Sequence, residues 1–357
     1  LVFVRNVTLR QVRNLEEQTV ELAPGLNLFL GPNAQGKTSF LEAVGLLARG
    51  RSFRTDDLGE VALRGGTSFA VEGQAAAADR ETRLGLAWTR GARRFSVDER
   101  PAAPREYQGR LEACVYSTDR LRIVHGPMRE RRQHVDRSGA ALSAAYRQNL
   151  RDYERIVRQR NAALEAGRRD AAAWDERLQE EGGRLRARRL QYVARLDQAL
   201  ASAFRPAGET YAIAAEPAAA ASFSEAEHQR RLAEEVRQNA ARERAAGRSL
   251  VGPHRDAVHL LVNGVDATLA SSGQVRSFLL ALTEATLRVY REQTGNAAVA
   301  LLDDLDSELD APRARAVCRA LAGHGQTLVT SAHPEWAAAL IEEGRTFQVA
   351  GGRVTAS

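Results

Sequence analysis

The eight residues Gly31-Pro32-Asn33-Ala34-Gln35-Gly36-Lys37-Thr38 constrain this chain more than any other stretch of it. They have the spacing G-x-x-x-x-G-K-[ST] and follow the apolar residues Leu26, Leu28, Phe29 and Leu30. A buried strand is therefore expected to enter a tight turn, with a helix beginning near Gly36. Backbone N–H groups in such a turn can surround phosphate oxygens, and the helix N-terminus favours negative charge. Lys37 is the single lysine among 51 basic residues. A compact ammonium suits a ring of phosphate oxygens that a rigid guanidinium fork would fit poorly. On this reading Lys37 bridges the β and γ phosphates of a nucleotide, and Thr38 places its hydroxyl on Mg²⁺. The alternative is a strand-to-helix turn that holds no ligand.

At 39.0 kDa the chain can form one large or two to three small domains with a core that needs no disulfide support. Cys114 and Cys318 are the only cysteines, and neither lies at zinc-ligand spacing, which points to a reducing compartment. No segment has the apolar length of a membrane span, and Leu1 to Arg5 reads as a strand rather than a secretory signal, so a cytoplasmic location is expected. A net charge of +6 permits nucleic-acid binding without establishing it.

Alternation predicts strands over Phe3 to Leu9, Gln18 to Leu22 and Asn27 to Leu30. Further strands are expected at Glu60 to Leu63, Phe69 to Glu72, Arg83 to Thr89 and Arg94 to Val97. Gly65-Gly66 and Gly91 separate the later ones, as in an antiparallel sheet. Phe40, Leu41, Val44, Leu47 and Ala48 mark the core face of the helix after the loop.

From about Pro127 the pattern turns helical. Tyr146, Leu150, Tyr153 and Val157 form one apolar stripe, flanked by Arg147, Arg151, Arg155 and Arg158. Trp174, Leu178, Leu185, Tyr192 and Leu196 form another, near Arg184, Arg186, Arg188 and Arg189, with Gly182-Gly183 as an expected interruption. A third run covers Ser224 to Ala246, and Glu216 to Ser222 reads as a linker or edge. None is long enough for a projecting coiled coil, so the stretch is expected to form a compact lobe. A strand at Val258 to Val262 with a turn at Asn263-Gly264, a helix from Gly273 to Gln293, and strands at Val299 to Leu302 and Thr327 to Thr330 complete a parallel α/β core. This divides the chain into residues 1–126 and 247–357, which build the α/β core, and an inserted lobe at 127–246.

Val299 to Leu302 is an apolar strand that ends in Asp303 and Asp304. Such a strand places its first carboxylate beneath the nucleotide, where Asp303 can hold Mg²⁺, and leaves Asp304 to orient the attacking water. The alternative is a pair of acids capping a strand. Ser271, before the helix containing Phe278, Leu279 and Leu282, can bind a γ-phosphate or act as an ordinary helix cap.

The order of phosphate loop, long insertion, Ser271-Ser272-Gly273-Gln274, two-aspartate strand and Ser307-Glu308-Leu309-Asp310 resembles the ATP-binding-cassette ATPases, particularly the branch that includes the SMC proteins. Other blocks are similar to the RecF family of bacterial recombination mediators along essentially the whole chain. They are Arg13-Asn14, Gly31 to Ser39, Tyr116 to Asp119 through Gly126-Pro127 with Arg131-Arg132 and Asp136, Arg160-Asn161-Ala162, Gly252-Pro253-His254-Arg255-Asp256, and Ser271 to Ser277.

The resemblance implies a cassette head of SMC-like type with an antiparallel sheet subdomain, a compact helical lobe and no long coiled coil. It implies ATP and Mg²⁺ as ligands. Arg13, Asn14, Gly31, Asn33, Gly36, Lys37, Thr38, Ser39, Ser271, Gly273, Gln274 and Asp303 would form the nucleotide site, with Thr38 and Asp303 on the metal. Asp304, Lys37, Ser271 and His333 would act in turnover, Asp304 standing where the wider class has glutamate and His333 where transporter-type members carry a switch histidine. Gln74 and Gln108 are positional candidates for a further catalytic glutamine.

The resemblance further implies that ATP joins two copies, with Ser271 of each reaching the nucleotide of the other. The homodimer would grip double-stranded or gapped DNA, hydrolyse ATP slowly in response, and help RecO and RecR place RecA on single strands. Arg51, Arg54, Arg147, Arg151, Arg155 and Arg158 are candidate phosphate contacts. The protein would be cytoplasmic, nucleoid-associated when on DNA, and without a membrane partner. The leading alternative is a soluble ATPase subunit for nucleotide-dependent protein assembly, with DNA binding incidental.

Overall fold

A stack of short apolar strands buried on both faces sets the architecture of the first compact unit, Leu1–Arg120 with Leu279–Ser357. The computed structural model describes residues 2–77, 80–167, 173–206, 208–217, 224–307, 309, 311–333, 340 and 344–357. One six-stranded sheet has the spatial order Arg353–Ala356, Gly344–Ala350, Leu26–Leu30, Thr327–Ser331, Val299–Leu302, Ala113–Tyr116. All its pairings are parallel except the terminal hairpin. Leu26–Leu30, Val299–Leu302 and Ala113–Tyr116 are buried at every residue, as expected of parallel strands covered on both faces.

A second six-stranded sheet is antiparallel, in the order Gln18–Glu21, Phe3–Arg10, Ser68–Ala77, Arg80–Thr89, Ala92–Val97, Arg100–Ala102. The helix Lys37–Arg49 is packed between the sheets. Phe40, Leu41, Val44 and Leu47 share one core with Val7, Val71 and Leu86 of the antiparallel sheet and with Phe29, Leu301 and Leu328 of the parallel one. Phe29 stacks on Phe347 with centroids 4.8 Å apart and meets Phe40 at 4.7 Å. A helix apolar on nearly all sides needs this double cover.

Residues 60–63 do not form the expected strand. Leu58–Val61 is a 3₁₀ turn capped by the Asp57 carboxylate, which accepts from Gly59 N at 2.8 Å, and only an isolated bridge from Val12 to Ala62 keeps strand character. The local cap outcompetes a short stretch with one β-branched residue, Val61.

The second unit, Leu121–Phe278, packs the helices Met128–Leu142, Ala144–Glu165, Asp175–Leu200 and Glu225–Ala246 with a three-stranded antiparallel sheet of Val265–Asp266, Val258–Val262 and Tyr211–Ala215. Residues 247–278, which the sequence pattern joins to the α/β core, group here because Val258–Val262 pairs along its whole length with Tyr211–Ala215. Of the expected linker, residues 218–222 lie outside the described residues. Gly182-Gly183 does not interrupt the helix Asp175–Leu200. A Cβ at Gly182 would lie 2.5 Å from Leu232 Cδ2, and one at Gly183 2.7 Å from the backbone N of Gln229. The glycines serve close approach of the helix Glu225–Ala246 rather than a break.

Arg151, Arg155 and Arg158 are exposed as their stripe predicts, Arg147 of the same stripe is half-buried with its Nε donating to Ala140 O at 3.2 Å, and Arg186 and Arg189 are almost fully buried. Arg189 forms a two-bond pair with Asp136 at 2.9 Å each and donates to Pro253 O at 2.7 Å. Arg186 pairs with Asp256 and with Glu235. Tyr146 donates to Asp136 at 3.0 Å, and Tyr153 Oη lies 2.7 Å from His254 Nδ1. Burial holds His254 down to about 4, so its ring is neutral near pH 7. Helices from three parts of the sequence are thus fixed to the loop at residues 252–256.

Candidate functional site: a phosphate loop facing two aspartates

The turn after Leu26–Leu30 depends on glycine at two points. Gly31 packs so closely on the terminal hairpin that a Cβ would lie 2.1 Å from Val349 O. Gly36, at φ 114, would place one 2.6 Å from Leu15 Cδ2. Gly36 is the N-cap of the helix Lys37–Arg49 and offers no side-chain acceptor, which leaves first-turn N–H groups available to an anion. Gln35 anchors the loop from outside, accepting from Gly351 N at 2.7 Å and Gly352 N at 3.1 Å.

Lys37 Nζ donates to Gly31 O at 2.7 Å and Pro32 O at 2.9 Å, which folds the side chain back over the loop. Burial holds its pKa below the usual lysine range, opposed by Asp304, Asp306 and Asp303. Thr38 Oγ1 donates to Asp303 Oδ1 at 2.9 Å, and Thr330 Oγ1 donates to the same oxygen at 2.8 Å. Burial pushes the Asp303 carboxyl up, while those two hydroxyls pull it down. Thr330 Oγ1 also accepts from Asp304 N at 2.8 Å, fixing Asp304 at a left-handed φ of 58. The start of the helix Lys37–Arg49, the end of Val299–Leu302 and the strand Thr327–Ser331 therefore converge on one carboxylate oxygen.

These groups open on a cleft of about 920 Å³ lined by Arg13, Asn14, Asn33, Lys37, Asp303 and Asp304, among others. Asn14 Nδ2 donates to Ala34 O at 3.0 Å, and its Oδ1 accepts from Ser39 Oγ at 3.1 Å. Arg13 forms a two-bond pair with Glu42 at 2.9 Å each, and Arg54 reaches Glu42 at 3.3 Å. Arg54, a candidate DNA contact by sequence, thus lines this cleft instead of standing apart from it. The sequence reading also missed Glu42. Its signal was a carboxylate among the apolar residues of a helix expected to be buried.

Ser271 and Gln274 form a reciprocal cap on the helix Ser272–Thr294: Ser271 N donates to Gln274 Oε1 at 3.0 Å, and Gln274 N donates to Ser271 Oγ at 3.3 Å. Ser271 and Gly273 are exposed, and a Cβ at Gly273 would meet nothing within 4 Å. They belong to the second unit, the phosphate loop to the first. His333 is exposed and is not among the residues lining the cleft; its N–H donates to Asp306 Oδ2 at 3.1 Å, and Ala332 N donates to the same oxygen at 2.7 Å. Asp306 was also missed. Gln74 pairs with Asn6 at 2.8 Å, and neither Gln74 nor Gln108 lines the cleft. Glu308 and Asp310 lie outside the described residues.

A family model described as an AAA domain matches residues 6–122. Over nearly the whole chain, the sequence is 33% identical to the DNA replication and repair protein RecF of Synechococcus sp. (strain JA-2-3B'a(2-13)), covering 99% of this chain and 97% of that protein. It is 34% identical to the RecF of Chloroflexus aurantiacus, covering 99% of this chain and 100% of that one. The chain belongs to the RecF family.

A solved structure described as the recombination mediator protein RecF-ATP in the RecFOR pathway superposes with a TM-score of 0.88 at 27% identity, over 100% of this chain and 99% of that one. An Smc head domain from Pyrococcus furiosus, with an extended coiled coil and bound to the C-terminal domain of ScpA, gives 0.60 at 11% identity, over 100% and 96%, a likeness of fold alone. The fold of this RecF-family chain is thus a P-loop head of SMC-like type with an antiparallel sheet and a helical lobe. Among its described residues there is no long coiled coil, and no helix is long and apolar enough to cross a membrane.

Proposed function

We propose that this RecF-family chain binds ATP with Mg²⁺ and uses slow, DNA-dependent hydrolysis to switch a homodimer that grips duplex or gapped DNA, acting with RecR and RecO to place RecA. The convergence of Thr38 and Thr330 on Asp303 Oδ1, with Lys37 folded over the loop beside it, carries the reading. The residues present fit the group: uncapped N–H donors and an ammonium face the place for phosphates, and a hydroxyl and a carboxylate within hydrogen-bond distance of each other suit a hard cation. The loop and Lys37 would hold the β and γ phosphates, while Thr38 and Asp303 would hold Mg²⁺, which when bound neutralises charge developing between those phosphates. Arg13, Asn14 and Ser39 would complete one side of the site.

Asp304 is the group for orienting the attacking water. Its backbone is fixed by Thr330, and its carboxylate is one methylene shorter than glutamate, which favours slow turnover. Ser271, Gly273 and Gln274 present an exposed helix start that would bind the γ-phosphate held by a second copy. His333 would sense that phosphate from the turn pinned by Asp306. The membership in a family of DNA replication and repair proteins supports the choice of DNA as partner.

ATP turnover measured in parallel without DNA and with duplex, single-stranded and gapped DNA tests the proposal. Duplex and gapped DNA should each raise turnover severalfold over the DNA-free rate. Equal rates in all four arms would contradict it and favour nucleotide-dependent protein assembly.

A further inference from the structure

The charges of residues 242–256 are sorted between interior and surface. Both acids of the stretch are buried: Glu243 accepts from Arg160 Nη2 at 2.6 Å and from Leu250 N at 2.7 Å, and Asp256 accepts two bonds from Arg186 at 2.8 Å each. All four arginines of the stretch, Arg242, Arg244, Arg248 and Arg255, are exposed. Each inward acid is answered by an arginine from another helix, so it cancels none of the charge on the outside. The end of the helix Glu225–Ala246 and the loop after it thereby carry exposed cations with no exposed acid between them in the sequence, and Glu165, whose Cα lies 3.5 Å from where a Gly247 Cβ would stand, is an exposed acid of a neighbouring helix beside them.

The loop that carries Arg248 and Arg255 is held from several sides. Ser249 N donates to Asn161 Oδ1 at 2.8 Å, and Ser249 Oγ accepts from Arg160 Nη1 at 2.8 Å. Pro253 O accepts from Arg189, His254 Nδ1 meets Tyr153 Oη, and Asp256 O accepts from Arg132 at 3.0 Å. Gly252, at φ 118, leaves room for that tyrosine: a Cβ there would lie 2.6 Å from Tyr153 Oη. Buried ion pairs add little net stability compared with apolar packing, yet they fix geometry when every partner is satisfied. Among the described residues, the Arg255 guanidinium makes one long contact, Nη2 to Ser249 O at 3.4 Å. A rigid support beneath solvent-facing cations lowers the entropy lost when they bind.

We infer that Arg248 and Arg255, brought together where the Arg255 guanidinium reaches Ser249 O, contact the phosphate backbone of duplex DNA, an inference that rests on the DNA-binding function proposed above. Arg242 and Arg244 leave the helix Glu225–Ala246 about 200° apart and do not share one face. Arginine forks match phosphate geometry. Residues 241–256 contain no Phe, Tyr or Trp, so this face has no platform for stacking unpaired bases and reads backbone charge instead.

The test is the salt dependence of duplex affinity for the full chain, for Arg248→Ala/Arg255→Ala and for Arg242→Ala/Arg244→Ala, with ATP turnover in the absence of DNA measured alongside. Arg248→Ala/Arg255→Ala should lower the magnitude of the slope of log K against log salt by about two, one per lost phosphate contact, and weaken binding about tenfold or more near 0.1 M salt, whereas Arg242→Ala/Arg244→Ala, on different sides of the helix, should lower it by about one or less. DNA-free turnover should not change. Unchanged affinity and slope for Arg248→Ala/Arg255→Ala would overturn the inference and leave the arginines as a solvated surface. A fall in DNA-free turnover would also overturn it, assigning them to the nucleotide cycle. If the unsubstituted chain binds no duplex at all, the proposed function itself fails, an outcome distinct from a variant that binds like its parent.

Discussion

Lys37→Ala should abolish ATP turnover, lowering it by about a thousandfold or more, while leaving thermal unfolding nearly unchanged. Removing one preorganised donor from a site of charge stabilisation costs about 10²–10³ in rate, and here a full positive charge is lost as well. The ammonium is held by two carbonyls of its own loop, Gly31 O and Pro32 O, which keeps it over the loop that the proposal assigns to the phosphates. Lys37→Arg should not restore turnover, because the planar guanidinium is bulkier than an ammonium and cannot act as the same compact point charge among phosphate oxygens. A coupled phosphate-release assay reads the rate, and binding of a fluorescent ATP analogue separates lost affinity from lost chemistry. Turnover within tenfold of the unsubstituted chain would remove Lys37 from the proposed site.

Asp136→Ala should destabilise the second unit by roughly 3–5 kcal/mol, the usual cost of stranding a buried charge. Asp136 is buried and accepts both bonds of the Arg189 fork and the Tyr146 hydroxyl. Burial alone would depress Arg189, and Asp136 holds its pKa above the usual arginine range. A guanidinium stays protonated in proteins even without such a partner, so deleting Asp136 strands a buried charge. Through Arg189 the loss spreads to Pro253 and the loop at residues 252–256. Asp136→Asn keeps acceptor oxygen in place and should cost clearly less. Differential scanning calorimetry on both variants measures the effect, and a change below 1 kcal/mol for the alanine variant would show that the network is dispensable.

The phosphate loop and the aspartates after Val299–Leu302 were legible in the sequence because their chemistry depends on local spacing. The parallel core was legible where strands are short apolar runs ended by turn residues. Ala113–Tyr116 and Tyr211–Ala215 were not, because a four- or five-residue apolar or alanine-rich run carries no period that separates strand from helix. The terminal hairpin was also missed, although Phe347 and Val349 alternate with exposed residues along Gly344–Ala350. Gly182-Gly183 looked like a break because glycine signals both a chain reversal and a close contact, and only the neighbour at Gln229 tells them apart. Arg186 and Arg189 show the same limit: their burial is set by acids 70 and 53 residues away, which a helical stripe does not reveal. Glu42 and Asp306 act through partners brought in by the fold, Arg13 and Arg54 for the first and the backbone of Ala332 and His333 for the second.

Sedimentation velocity at micromolar protein, with and without Mg²⁺ and a slowly hydrolysed ATP analogue, asks most directly whether nucleotide joins two copies through Ser271. The unsubstituted chain should sediment as a monomer alone and shift to twice that mass with the analogue, while Ser271→Arg, which crowds the exposed helix start, should stay monomeric under both conditions. A mass that does not change with nucleotide, or a Ser271→Arg variant that dimerises as well as its parent, would contradict the proposed switch.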